Sequence, residues 1–167
     1  MKTKAIILPA IFILIIAPFM LFAQQQETII SADQISIQPD NILQAKGNVI
    51  VKHGDISIRA EAMTVNEETN KIELQEITEF SDGRSLKLTG KDAVLSNDLS
   101  SGIINAAQVL IDDTIRIRAE EIKLKNGDVE RAEAIDRITS CEECESQVPL
   151  WYFTASSASN DVQNKNI

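Results

Sequence analysis

The chain has 167 residues, 25 acidic against 16 basic, and a formal net charge of −9. That balance argues against nucleic acid as a partner, since such binding rests on basic phosphate contacts, and against holding anionic lipid head groups by bulk charge. Aromatic residues make up only 4% of the chain, so the interior must be built from Ile, Leu, Val and Ala, and any lipid carried would be held by its apolar part.

The N-terminus reads as an export signal. Lys2 and Lys4 are followed by an apolar run from Ala5 to Phe22, broken only by Pro9 and Pro18, and small Ala23 precedes the polar Gln24-Gln-Gln26. This predicts a signal peptide over residues 1–23 and a single domain over 24–167. An uncleaved anchor is the alternative, because 18 apolar residues reach the lower limit for crossing a bilayer; Pro18 and Ala23 favour cleavage. Cleavage removes two lysines and no acids, taking the charge from −9 to −11.

The remainder reads as strands. In Ile56-Ser-Ile-Arg-Ala-Glu-Ala-Met-Thr-Val65 apolar residues alternate through Ile56, Ile58 and Ala60, the period of a half-buried strand. The alternation then slips by one, to Met63 and Val65. A change of parity needs a bulge or bend, because successive side chains point to opposite faces. The pattern recurs in Thr28, Ile30, Ala32, Ile35, Ile37; in Leu86, Leu88, Gly90, Ala93, Leu95; in Ile115, Ile117, Ala119, Ile122, Leu124; and, decayed, in Trp151, Phe153, Ala155, Ala158. The small pivots Ala32, Ala60, Gly90, Ala119 and Ala155 are separated by 28, 30, 29 and 36 residues, the signature of a stacked repeat.

Each repeat has a second limb, clearest in Ala45, Gly47, Val49, Val51 and in Ala107, Val109, Ile111. Ile72, Leu74, Ile77 is a less regular one, and Ala132 and Ala134 begin another. Turn signals separate the limbs at Gln38-Pro-Asp-Asn41, Lys52-His-Gly-Asp55, Ser81-Asp-Gly-Arg84, Asn97-Asp-Leu-Ser-Ser-Gly102 and Lys125-Asn-Gly-Asp128. Helix competes for Val129 to Ile138, where Ala and Glu favour it, but the matching segments elsewhere carry β-branched alternation. The face opposite the apolar one holds Arg59, Glu61, Lys87, Lys91, Arg116, Arg118, Glu120 and Lys123. The expected fold is all-β: bent strands in repeats of about 29 residues, stacked into a V-shaped β-jelly roll with an apolar interior and unpaired edges at both ends.

Catalytic chemistry is not indicated. His53 is the only histidine, sits in a turn where it is expected to be solvated, and supplies neither a Ser-His-Asp relay nor a four-ligand zinc site. Cys141-Glu-Glu-Cys144 has the spacing of half a zinc site or a redox pair, with no second half and no surrounding βαβ pattern. A structural disulfide is the expected state, within the pair or to a partner. The pairs Glu67-Glu68 and Glu120-Glu121 read as solvated surface, and no glycine-rich phosphate loop is present. No cofactor or metal is expected.

Two stretches carry a family resemblance. Gly54-Asp-Ile-Ser-Ile-Arg-Ala-Glu-Ala-Met-Thr-Val65 and the preceding Ala45-Lys-Gly-Asn-Val-Ile-Val51, an A-x-G-N-V pattern, resemble the repeat of the OstA-type β-jelly-roll family over about residues 27–161. That family includes the periplasmic lipopolysaccharide (LPS) bridge protein LptA and the N-terminal domain of the LPS-assembly protein LptD. Thr139-Ser-Cys-Glu-Glu-Cys144 followed by Pro149-Leu-Trp-Tyr-Phe-Thr-Ala155 is similar to the T-x-C-x-x-C … P-x-W-x-x-x-A stretch of the second type. The resemblance implies a periplasmic, outer-membrane-associated domain in LPS transport, docking a homologous jelly-roll bridge protein by edge-strand pairing. Its further partners would be an outer-membrane barrel and a lipoprotein when full length. It also implies that Cys141 or Cys144 joins a cysteine further along. No barrel strands follow before Ile167, so a truncated chain is expected, or alternatively a stand-alone LptA-like LPS-binding jelly roll.

On the residues alone, ordinary core packing accounts for every inward apolar position, and a lipid trough is the second reading. The resemblance favours the trough, which would be lined by Ile30, Ile37, Ile56, Ile58, Met63, Val65, Leu86, Leu88, Leu95, Ile115, Ile117, Ile122 and Leu124. The rivals are an exported structural β-repeat, such as a β-helix with shorter coils, and an exported carbohydrate-processing enzyme. The latter needs inward carboxylates or exposed aromatics on one face, which Trp151 and Tyr152 do not provide.

Overall fold

A computed structural model describes residues 27–140 and 151–160. It contains ten strands: β1 (Thr28–Ser31), β2 (Gln34–Gln38), β3 (Ile42–His53), β4 (Ile56–Asn66), β5 (Lys71–Ser81), β6 (Leu86–Ser96), β7 (Gly102–Ile111), β8 (Ile115–Lys125), β9 (Asp128–Thr139) and β10 (Phe153–Ser159). One 3-10 turn at Pro39–Asn41 is the sole helical element among the described residues. Val129 to Ile138, where helix competed, lies in β9.

All ten strands form one antiparallel sheet in the order β1-β3-β4-β5-β6-β7-β8-β9-β10, with β2 also paired to β3. β1 and β2 cover opposite halves of β3, so together they make one rung broken at Ala32 and Asp33. The stack is therefore nine rungs deep, each strand joined to its neighbours by short turns, as local antiparallel connections allow. The expected all-β stack of bent strands is the observed one.

The bends fall where the alternation slips. Pairing registers shift between Arg59 and Ala60, between Arg118 and Ala119, and between Ile77 and Phe80 opposite Gly90. Burial follows the slip: Ile58, Ala60 and then Met63 are buried, as are Leu88, Ala93 and Leu95, and Ala119, Ile122 and Leu124. The pivots are small because they sit inside the fold line. A Cβ on Gly90 would stand 2.5 Å from Ile104 Cγ2 and 3.2 Å from the Asn105 carbonyl.

The left-handed backbone that makes each bend lies on the return strands. Asn48 (φ 46°), Glu76 (φ 50°), Ala106 (φ 48°) and Ala134 (φ 47°) occupy one position each in β3, β5, β7 and β9. Flanking registers bring them into line with the residue after each pivot: Glu61, Lys91 or Glu120. Such a conformation costs a non-glycine residue ~1–2 kcal/mol, and it persists because the ladders on both sides hold it. In β3 the bulge is shared with Gly47, where a Cβ would meet Asp33 Oδ2 at 2.6 Å. Asp33 N donates to the Gly47 carbonyl at 2.9 Å and accepts on Oδ2 from Asn48 Nδ2 at 2.8 Å, closing the first corner.

Candidate lipid-binding interior and its polar seam

Because every strand keeps the same pivot position, residues of equal depth align into columns. One column runs through all nine rungs: Ile30, Val51, Ile58, Phe80, Leu88, Val109, Ile117, Ile138, Phe153. A second, on the other limb, is Ile35, Ala45, Met63, Leu74, Ala93, Ile104, Ile122, Ala132, Ala158. A third runs Ile37, Leu43, Val65, Ile72, Leu95, Gly102, Leu124, Val129. No charged or polar side chain interrupts any of them.

The thirteen positions expected to line a trough all belong to this inner face or flank it, at different depths. Ile58, Met63, Leu86, Leu88, Leu95, Ile122 and Leu124 are buried. Ile30, Ile56, Val65 and Ile117 are partly buried against them. Ile37 and Ile115 are exposed, at 78% and 43%. The mid-stack interior is thus a packed apolar core. Among the described residues the two end rungs leave the same columns uncovered, at Ile35 and Ile37 on one edge and at Phe153 (66% exposed) on the other. Trp151 packs against Phe153 with ring centroids 5.6 Å apart and the planes tilted by 58°, and the Arg137 guanidinium lies 5.7 Å over the Tyr152 ring. The outer face carries exposed ion pairs such as Arg59–Glu79 at 3.0 Å and Lys87–Asp113 at 2.7 Å.

The two limbs meet again at their free ends, which sequence reasoning did not anticipate. The turns β3–β4, β5–β6 and β7–β8 cap one end of the strands; the turns β4–β5, β6–β7 and β8–β9 cap the other. Yet Thr28 Oγ1, beside the β3–β4 turn, donates to the Asn97 carbonyl of the β6–β7 turn at 3.5 Å. Arg84 of the β5–β6 turn reaches Asp128 of the β8–β9 turn at 3.7 Å. Opposite strand ends can touch only if the sheet is folded back on itself along the pivot line, with an offset of three rungs set by its twist.

Buried and polar groups organise this seam. Asp82, only 4% exposed, accepts from Arg84 N at 2.9 Å and Leu86 N at 3.0 Å, and pairs with Arg84 Nε at 3.2 Å, which aims the guanidinium at Asp128. His53 is half-buried and bonded through Nδ1 to Thr28 Oγ1 at 2.8 Å, which corrects the expectation that it is solvated. In the β6–β7 turn, Asp98 accepts from Ser96 Oγ and from Ser100 N and Oγ. Partial desolvation pushes its carboxyl up, but those hydrogen bonds and nearby His53 outweigh it and hold the group below the ordinary carboxylate value. Beside it Leu99 (φ 60°) is fully buried in the core. A lone apolar residue inside the polar run Asn97-Asp-Leu-Ser-Ser was the one sequence signal for it.

No group of three or more His, Cys, Asp or Glu among the described residues is placed to hold a metal ion. Cys141 and Cys144 lie outside the described residues.

An antiparallel stack folded about an apolar interior, its columns open at both edge rungs among the described residues, defines a β-jelly roll. The family model for "LptA/(LptD N-terminal domain) LPS transport protein" matches residues 28–148, and the chain belongs to that family. Its fold is similar to the crystal structure of LptH from Pseudomonas aeruginosa, the LptA-homologous periplasmic component of the conserved lipopolysaccharide transport device. The TM-score is 0.52 at 14% identity, over 65% of this chain and 82% of that one. No curated protein sequence matches the chain. The resemblance carried by the OstA-type repeat and the family model agree on an LPS-transport jelly roll.

Proposed function

We propose that this domain works in the periplasm at the outer membrane, passing LPS along its interior with the acyl chains of lipid A against the three apolar columns. The observation that carries this is their continuity: two columns run through nine rungs and the third through eight, so a chain can advance along similar apolar surface without chemistry. Each methylene shielded from water contributes ~0.8 kcal/mol, and similar surface on successive rungs keeps the gradient along the path small. Residues 1–23 act as the export signal. The first rung, β1 with β2, accepts a homologous jelly-roll bridge protein by strand addition, and an outer-membrane barrel with its lipoprotein partner receives the lipid beyond the last.

A photo-crosslinking residue tests the path directly. Placed at Ile58 or Ile117, both in the first column, it is expected to capture LPS in cells. Placed at Arg59 or Arg118, one residue away on the outer face, it is not. Equal capture at both sets overturns the interior path.

A further inference from the structure

The interior described above is filled. Ile58, Phe80, Ile104 and Ile122 are completely buried, and Met63 and Leu95 nearly so. An acyl chain therefore needs a place where the wall parts. Within the sheet every rung between the two edges is hydrogen-bonded to both neighbours, and opening any ladder breaks many bonds at once. The seam is different. The contacts identified across it are the Thr28 hydrogen bond to the Asn97 carbonyl at 3.5 Å and the Arg84–Asp128 pair at 3.7 Å. The latter is an exposed pair of the sort that holds little in water.

We propose that this seam is the lateral portal through which acyl chains reach the interior, and that the β6–β7 turn carrying Leu99 is its gate. The proposal rests on the reading that the interior takes acyl chains. Leu99 is the residue that points to it. An exposed turn ordinarily carries polar residues or glycine at a left-handed position. Here a leucine holds that conformation and puts its whole side chain into the core. The turn around it is a preformed unit. Leu99 N donates to the Ser96 carbonyl at 2.9 Å, Ser96 N donates to the Ser101 carbonyl at 2.8 Å, and Asp98 ties Ser96 to Ser100. Its other ties, Asn97 Nδ2 to Asn70 Oδ1 at 3.2 Å and Gly127 N to the Ser100 carbonyl at 2.7 Å, run to the flanking turns of its own limb, so this row of turns can swing together away from the opposite limb. Its departure withdraws Leu99 from the core, and an incoming acyl chain replaces the leucine with like surface.

The test follows uptake of pyrene-labelled dodecanoic acid by stopped flow, with circular dichroism confirming that each variant is folded. In Leu99→Gly the gate loses its plug, and uptake is expected to accelerate at least tenfold. In a chain carrying Arg84→Cys and Asp128→Cys, with Cys141→Ser and Cys144→Ser, a short bis-maleimide staples the seam. The stapled form is expected to load at least tenfold more slowly than the same chain unstapled. If the stapled and unstapled forms bind the probe equally fast, lipid passes through the open end rungs; the portal is overturned and the acyl-binding interior stands. If the parent chain binds no probe at all, the interior reading fails and the portal with it.

Discussion

Phe153 stands in register with Ile138 across the last strand pair, yet 66% of it faces water. The same column buries Phe80 completely five rungs earlier. Two phenylalanines in one column thus separate packing from presentation. Phe80→Ala is expected to cost ~3–5 kcal/mol of stability, as large core truncations do, whereas Phe153→Ala should stay within ~0.5 kcal/mol. Urea unfolding of the two variants checks this; equal losses would mean that the last rung is covered in solution.

The left-handed residues give an opposite-signed prediction. Glu76 is exposed and holds φ 50° with a side chain that favours the right-handed region. Glu76→Gly relieves ~1–2 kcal/mol of backbone strain against ~0.5–1 kcal/mol of added chain entropy, so stability should rise by about 0.5 kcal/mol. Gly47→Ala should fall by ~1 kcal/mol or more, since its Cβ would press on Asp33 at φ 73°. Thermal melts of both variants would show the midpoints moving apart.

Asp98 makes the gate turn acid-sensitive. Its folded-state carboxyl is held below the reference value of 3.8, so its contribution is fully present above that value and is lost as pH falls through the lower folded one. Being exposed, it contributes only a few tenths of a kcal/mol. Asp98→Asn should flatten the stability-against-pH curve below about pH 4 and leave it parallel to the parent's above that. Lys87 acts in the opposite sense. Its hydrogen bond to Asp113 and that group's charge raise its pKa above 10.5, so its contribution fades only in strong alkali.

Among the described residues the first rung offers an unpaired edge. A proline at Ile30 or Ile35 removes a backbone donor and is expected to weaken pull-down of a homologous jelly-roll partner at least tenfold. Undiminished capture by a variant that remains folded would point to the opposite edge.

Cys141 and Cys144 are expected to be oxidised in the exported protein. In a longer chain, at least one should join a cysteine beyond residue 167, because closing so short a loop stabilises little. Mass spectrometry without reductant reads the pairing. A bound zinc ion, or a fast-reacting thiol, would overturn the structural role.

Much of this architecture was legible because one-sided burial writes itself into alternation. A slip in parity at Ala60, Gly90 and Ala119 could mean only a bend, and its recurrence gave the repeat. The return strands were harder to read. Asn48, Glu76, Ala106 and Ala134 share no side-chain property, since the opposing strands impose their conformation. Two turns also escaped notice for want of glycine: Asn70, Asp112 and Asp113 take the left-handed positions instead, which short polar side chains tolerate. The seam left almost no trace in the sequence. Thr28 and Asn97, or Arg84 and Asp128, meet through accumulated sheet twist, a property of the whole stack rather than of any window in it.

Because each rung is hydrogen-bonded along the sheet to the rungs beside it, the domain is also a ruler. Nine rungs at a strand spacing of ~4.8 Å mark out ~38 Å of apolar path. A further repeat of about 29 residues would add two rungs, ~10 Å, without re-engineering what lies on either side. On the proposed path the length is counted in whole hairpins, so relatives with longer stacks should differ by whole repeats.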